Sequence, residues 1–240
     1  MMKNYTKPYY GVNKTKVIIN SFSIGLLCLL VSMFLFKYTE SIAIGYIFLV
    51  VGVIGVLNGL RMINYVIWGK FKHRDRIVDS VDWKGNEKVL DVGIGRGLVA
   101  IKAAKKLTTG KLIGIDIWKG KGDILDNTKF YINKNMKIEG VEDKIKIKTQ
   151  NASALSFKDE SFDVVLSNLC IHNIHDKDER IKAICEMARV VKKDGTLVLS
   201  DFRHTIEHKK LLCDMGFKVK VSKPYIFDTY PSLKIIVAKK

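Results

Sequence analysis

Residues 89–97 read VLDVGIGRG, and this stretch constrains the fold more than any other. An apolar run that ends in Asp91 and passes into three alternating glycines describes a strand delivering its end to a bound nucleotide. Gly93, Gly95 and Gly97 let the backbone turn sharply and approach a ligand where a Cβ would collide. The helix expected from Leu98 points its unpaired N–H groups at the same place. A dinucleotide fingerprint needs glycine at the sixth position of G-x-G-x-x-G, and that position is Leu98, so a nicotinamide-dependent oxidoreductase is the weaker reading.

The 240 residues divide sharply in hydropathy. Residues 17–36 form an uncharged run of 20 and residues 42–60 another of 19, separated by a polar junction at Lys37, Tyr38, Thr39 and Glu40. Each run is long enough to cross a bilayer core of ~30 Å at about 1.5 Å per residue. The first is too long for a secretory signal and a second follows at once. Neither carries the polar stripe of a soluble helix. Lys3, Lys7, Lys14 and Lys16 precede the first run, and Arg61, Lys70, Lys72, Arg74 and Arg76 follow the second. By the positive-inside rule both termini then lie in the cytoplasm. The expectation is a multi-pass anchor over residues 1–68, in the cell membrane, and a cytoplasmic domain over residues 69–240. Gly45, Gly52, Gly55 and Gly59 give the second run a small-residue face for packing within the hairpin or against a second chain, as in a homodimer.

Net charge is +17, of which the first 60 residues supply +4, five lysines against Glu40. Anionic headgroups are the natural partner of the remainder. Basic residues are not interleaved with aromatics in one run, which argues against nucleic acid, although an RNA substrate would explain the charge. Cys28, Cys170, Cys185 and Cys213 are widely spaced with no C-x-x-C pair, so neither a disulfide framework nor a zinc site is expected. His172 and His175 stand in a His-x-x-His spacing, but no nearby cysteine completes a site, and Asp176, Asp178 and Glu179 read as a helix start; no metal is expected.

From about residue 72 the apolar period alternates between strand and helix, the mark of a parallel sheet covered on both faces. Strands are expected at 87–92, 111–117, 144–149, 162–168 and 195–202, with helices at about 73–81, 97–107, 125–139, 177–192 and 205–215. The tail supplies two more strands around Pro231. The expected architecture is a seven-stranded Rossmann-like α/β sheet, six strands parallel and one antiparallel, preceded by the helical hairpin. Strand two ends in LIGIDIW, which places Asp116 at the carboxyl edge, where a carboxylate can accept both hydroxyls of a ribose.

The pattern D-x-G-x-G-x-G resembles the first motif of class I S-adenosylmethionine methyltransferases. QNASALSFKDESFDVVLSNLCIHNI is similar to a stretch of the ubiquinone and menaquinone C-methyltransferase group, and EMARVVKKDGTLVLSDF to its helix, turn and fifth strand. The resemblance covers residues 73–240 and implies S-adenosylmethionine as cofactor. It implies that Asp91, Gly93, Gly95 and Gly97 hold the loop and the amino-acid end of the cofactor and Asp116 the ribose. Ile117 and Ala152 would meet the adenine, with Asn151 standing where the family has an acid. Asn168 would line the site. His172, just past strand four, is the candidate general base for a phenol, enol or activated carbon. A membrane tether favours a small hydrophobic or lipid-like acceptor. A membrane scaffold or sensor that binds the cofactor without catalysis is the competing role.

Overall fold

The computed structural model describes residues 6–11, 15–118 and 124–240. It forms two compact units: residues 12–72 with 226–231, and residues up to 11 with 73–225 and 232–240.

In the first unit, α1 (Thr15–Tyr38) and α2 (Ile42–Asn64) make a hairpin. Both are long and apolar enough to cross a membrane, and their apolar side chains stay largely exposed, Leu30 at 64% and Met33 at 68%. Small residues let the two backbones meet. A Cβ on Gly55 would come within 2.9 Å of the Gly25 Cα, and one on Gly25 within 2.9 Å of the Val56 amide nitrogen. Phe22, Leu29 and Phe36 of α1 fill the space over Gly59, Gly52 and Gly45. The glycine face of α2 is thus taken up inside the hairpin. The buried Ser32 hydroxyl donates to the Gly45 carbonyl at 2.8 Å.

The sequence reading gives a span over 42–60 and a separate helix over about 73–81, but the helix runs on through a wider turn at Tyr65–Gly69 into α3 (Lys70–Asp79), one continuous helix over Ile42–Asp79. Polar residues such as Arg61 and Asn64 end the apolar run without breaking helical hydrogen bonding. Instead they bind loop 226–231. Arg61 Nε and Nη2 donate to the Ile226 carbonyl (3.1 and 2.7 Å), and Asn64 Nδ2 to that of Phe227 (3.1 Å).

The second unit is built on β1 (Lys88–Val92), β2 (Lys111–Asp116), β3 (Ile145–Thr149), β4 (Phe162–Asn168), β5 (Val191–Asp201), β6 (Lys218–Val221) and β7 (Lys234–Lys239). Their order is β3-β2-β1-β4-β5-β7-β6, with β7 alone antiparallel, as expected. Period-two alternation sorts the strand residues into two cores. Val89, Leu112, Val164, Leu166 and Val198 pack with α4 (Leu98–Ala104) and α5 (Ile124–Glu139) on one face. Leu90, Val92, Ile115, Val165, Leu197 and Leu199 pack with α6 (Lys177–Val190) and α7 (Thr205–Asp214) on the other. Side chains as completely buried as Leu90, Leu112 and Leu197 each contribute roughly 1.5–3 kcal/mol of transfer free energy.

Strand five begins four residues before its expected start. Asp194 and Gly195 read as a turn, yet the chain is already extended at Val191, which pairs with Phe162 before the register shifts between Phe162 and Val164. The irregularity absorbs the extra residues, and Gly195 allows the close approach, since a Cβ there would lie 2.9 Å from the Asp163 carbonyl.

Candidate active site

The first two strands and the fourth and fifth deliver Val92, Asp116, Asn168 and Asp201 to one carboxyl edge of the sheet, the place where open α/β sheets bind ligands. Backbone strain collects there. Trp118 (φ 54°), Leu169 (φ 53°) and His204 (φ 57°) adopt left-handed conformations just past β2, β4 and β5, each at a cost of about 1–3 kcal/mol that the surrounding packing offsets.

The glycine loop is held over β2. The Gly93 and Ile94 amides both donate to the Ile115 carbonyl (2.8 and 3.0 Å), and the Gly95 amide donates to Asp116 Oδ2 (3.0 Å). The glycines have different reasons for being there. Gly93 has φ 77°, and a Cβ on it would lie 2.3 Å from the Cys170 sulfur, so its missing side chain makes room for the chain leaving β4. Gly95 is open, with only the Gly93 carbonyl near a built Cβ, at 3.9 Å. This is the glycine that leaves space for a ligand.

Asp91 is 3% exposed and accepts a hydrogen bond from the Ala100 amide. Burial, reinforced by the neighbouring Asp116 carboxylate, pushes its carboxyl up to about 7. Asp116 also accepts from the Trp118 amide at 2.8 Å, so its two oxygens are aimed by two backbone donors. Burial, with Asp116, Asp91 and Asp201 nearby, pushes the Cys170 thiol up to about 12, so Cys170 is a neutral packing group and not a nucleophile.

His172 follows β4 in a short turn, Ile171–Asn173. Its Nδ1 lies 2.9 Å from Asp201 Oδ1 and 3.1 Å from Oδ2, and its backbone N–H donates to Oδ2 at 3.2 Å. A carboxylate only accepts, so Nδ1 carries the proton and the Nε2 lone pair is left to take one. The Phe202 ring lies 4.7 Å from the imidazole, centroid to centroid, and its amide donates to Asp201 Oδ1 at 2.8 Å. Asp201 is 4% exposed and escaped the sequence reading, although LVLSD ends in an acid as VLD and IGID do.

Of the remaining residues singled out in the sequence, Asn168 ends β4 with its Oδ1 buried and unpartnered, an acceptor in need of a donor. Ile117 is 46% exposed beside Asp116 and offers apolar surface. Ala152 is buried. Asn151 is exposed and turned to its own loop, Oδ1 accepting from the Ser153 amide at 3.2 Å, while neighbouring Gln150 donates its amide to the Asp116 carbonyl at 3.1 Å. Asp176 caps α6 through the Glu179 amide at 2.8 Å, as the acid run implies.

An open glycine, a paired backbone cradle, a carboxylate at the tip of β2 and an unsatisfied amide oxygen on β4 suit a nucleoside with a polar tail. The fold and this edge define a Rossmann-like nucleoside-cofactor domain. Residues 90–199 match the family described as Methyltransferase domain. The demethylmenaquinone methyltransferase of Bacteroides fragilis is 34% identical over 113 residues, covering 47% of this chain and 42% of that protein. The ubiquinone/menaquinone biosynthesis C-methyltransferase of Vibrio campbellii is 27% identical over 174 residues, covering 72% and 58%. The crystal structure of a SAM-dependent methyltransferase from Aquifex aeolicus shares the fold with a TM-score of 0.53 at 18% identity, over 69% of this chain and 88% of that one. The chain thus spans about half the length of the curated relatives it matches. Residues 90–199 are thus a methyltransferase domain whose fold and relatives are those of the S-adenosylmethionine-dependent enzymes, and S-adenosylmethionine is the cofactor of that domain.

Proposed function

We propose that this protein is a membrane-anchored methyltransferase acting on a small hydrophobic or membrane-resident acceptor. The observation that carries the chemical half is the His172–Asp201 couple at the cofactor edge. When bound, S-adenosylmethionine supplies a methyl group already activated by its sulfonium. The chain's own residues then have three tasks. Asp116 accepts from the ribose hydroxyls, and Asp91, ionised on meeting the cofactor's ammonium, fixes the amino-acid end. Asn168 Oδ1 takes a donor from the cofactor or the acceptor. His172 Nε2 removes the proton from an acceptor hydroxyl or acidic carbon, while Asp201 holds the ring and stabilises the imidazolium that forms. An acceptor with a removable proton, such as a phenol, an enol or a hydroquinone ring carbon, suits that arrangement better than a free amine. The relatives named for demethylmenaquinone and ubiquinone/menaquinone synthesis support the same class.

The anchoring half is supported by α1 and α2, whose apolar residues face outward, and by basic residues at both flanks, which favour a cytoplasmic side for both termini and the catalytic domain. Asn151 and Ala152, with Ile117, are the proposed adenine contacts. A homodimer through α2 would need a face other than its glycines, which α1 occupies.

The test is incubation of the full chain, reconstituted in vesicles, with methyl-labelled S-adenosylmethionine and either a total membrane-lipid extract or a water-soluble metabolite pool. Label is expected in the organic phase and lost with His172→Gln. Transfer only to water-soluble acceptors would refute the membrane-acceptor reading.

A further inference from the structure

Bonds to the end of β2 hold the first half of the cofactor loop, Gly93 to Gly95, and the Gly97 amide closes the turn on the Ile94 carbonyl at 2.8 Å, which leaves the Arg96 carbonyl at the tip to be held from outside the loop. Gly95 and Gly97 flank Arg96 at positive φ, and loops of this composition lose the most conformational freedom on ordering. That tip is held by α5 and by the N-terminal segment together. Asn135, on α5 and 1% exposed, donates through Nδ2 to the Arg96 carbonyl at 3.0 Å. The same amide pairs with the backbone of Tyr9 in both directions: the Tyr9 N–H donates to Oδ1 at 2.8 Å, and Nδ2 donates to the Tyr9 carbonyl at 3.1 Å. One side chain thus ties the N-terminal segment to the glycine loop.

The contacts around it reinforce the tie. The Arg96 guanidinium lies 4.7 Å from the ring centres of both Tyr9 and Tyr131, which meet edge to face at 4.9 Å. Gly11 passes so close to Arg96 that a Cβ there would sit 2.8 Å from Nη1. Tyr10 donates its hydroxyl to Glu139 Oε1 at 2.8 Å, at the far end of α5. Stacking on two tyrosines gives the Arg96 guanidinium two cation–π partners. Gly11 is followed four residues later by the start of the apolar helix at Thr15.

We infer that residues 6–11 are a strap that preorganises the cofactor loop through Asn135 and Arg96, so that cofactor affinity depends on the segment leading into the first apolar helix. This rests on the assignment of the glycine loop to S-adenosylmethionine. Asn135 is a positioning residue. Without Tyr9, its buried amide loses two of its three hydrogen bonds and must turn to recover them, releasing the Arg96 carbonyl. Cofactor must then order the loop at the expense of its own binding free energy.

The experiment is isothermal titration of the full chain in detergent with S-adenosylhomocysteine, comparing wild type, Tyr9→Pro, Asn135→Leu and the double variant. Tyr9→Pro removes the backbone donor and the ring at a surface strap and leaves the core alone. Each single change is expected to weaken binding about tenfold, and the double change scarcely more than either, because both break one clasp. The apo melting temperature of Tyr9→Pro should stay near wild type. With membrane extract as acceptor source, its KM for S-adenosylmethionine should rise while the rate at saturating cofactor holds. Wild-type affinity in Tyr9→Pro, or additive losses in the double variant, overturns the strap. Wild type that fails to bind would instead remove the cofactor assignment, and the strap with it.

Discussion

Asp201 accepts from His172 twice, once from the ring Nδ1 and once from the backbone N–H, and these contacts fix both the position and the tautomer of a histidine 29 residues away. The pair joins the end of β5 to the turn after β4.

Removing the proposed base should separate chemistry from binding. His172→Gln is expected to lower kcat by about 10²–10⁴, the usual contribution of general base catalysis. Asp201→Asn should lower it less, since the ring remains but its orientation and proton are no longer set. S-adenosylhomocysteine affinity measured by calorimetry should move less than threefold in both. A parallel loss of affinity would assign the couple a structural role.

Asp116 should carry much of the cofactor's affinity. Asp116→Ala removes the proposed ribose acceptor and the partner of the Gly95 amide together. A loss on the order of 2–3 kcal/mol, or about 30–150-fold in Kd, is expected from a charge-assisted hydrogen-bonding group. Undiminished binding of S-adenosylhomocysteine would show that the ribose is held elsewhere.

The Asp91 carboxyl sets a pH dependence. Its ordinary value is 3.8 and the native value is about 7, so between those limits the folded apo protein holds a proton the unfolded chain has released. Its contribution to stability is therefore fully present below about pH 4 and is lost as pH rises through 7. The melting temperature of apo wild type relative to Asp91→Asn should fall across that interval and level off above it. Taking the difference cancels other titrations, including that of His208, which burial pushes down to about 4. A flat difference would mean that Asp91 is already ionised in the fold.

Gly93→Ala should damage the fold as well as the site. It combines a positive φ, costing about 1–2 kcal/mol for a residue with a Cβ, with a collision against Cys170. Adding Cys170→Ala trims the sulfur and should recover part of the loss in a urea titration. Gly95→Ala, with open space around it, should cost less stability and mainly weaken cofactor binding.

Much of this protein was legible along the chain. Periodicity located the strands because each contributes residues alternately to two cores, and a local period survives without knowledge of partners. The glycine spacing and the acids of VLD and IGID marked the turn after β1 and the carboxyl ends of β1 and β2 for the same reason: a strand, its tip and the following turn are contiguous. Strand five was misplaced at its start because the irregularity facing Phe162 and Val164 is a property of the pair, and Asp194-Gly195 viewed alone reads as a turn.

Hydropathy and spacing by themselves determined the apolar hairpin, the sheet and the position of the glycine loop, since each follows from residues close together in sequence. Only the tertiary structure decided that Gly93 makes room for Cys170 while Gly95 faces open space, that Asp201 orients His172, and that Asn135 binds Tyr9 to Arg96. Those pairs are separated by 29 to 126 residues. No local pattern encodes which distant backbone a buried amide or carboxylate will satisfy, because that choice is made when the sheet brings its strand ends together and every buried polar group must find a partner.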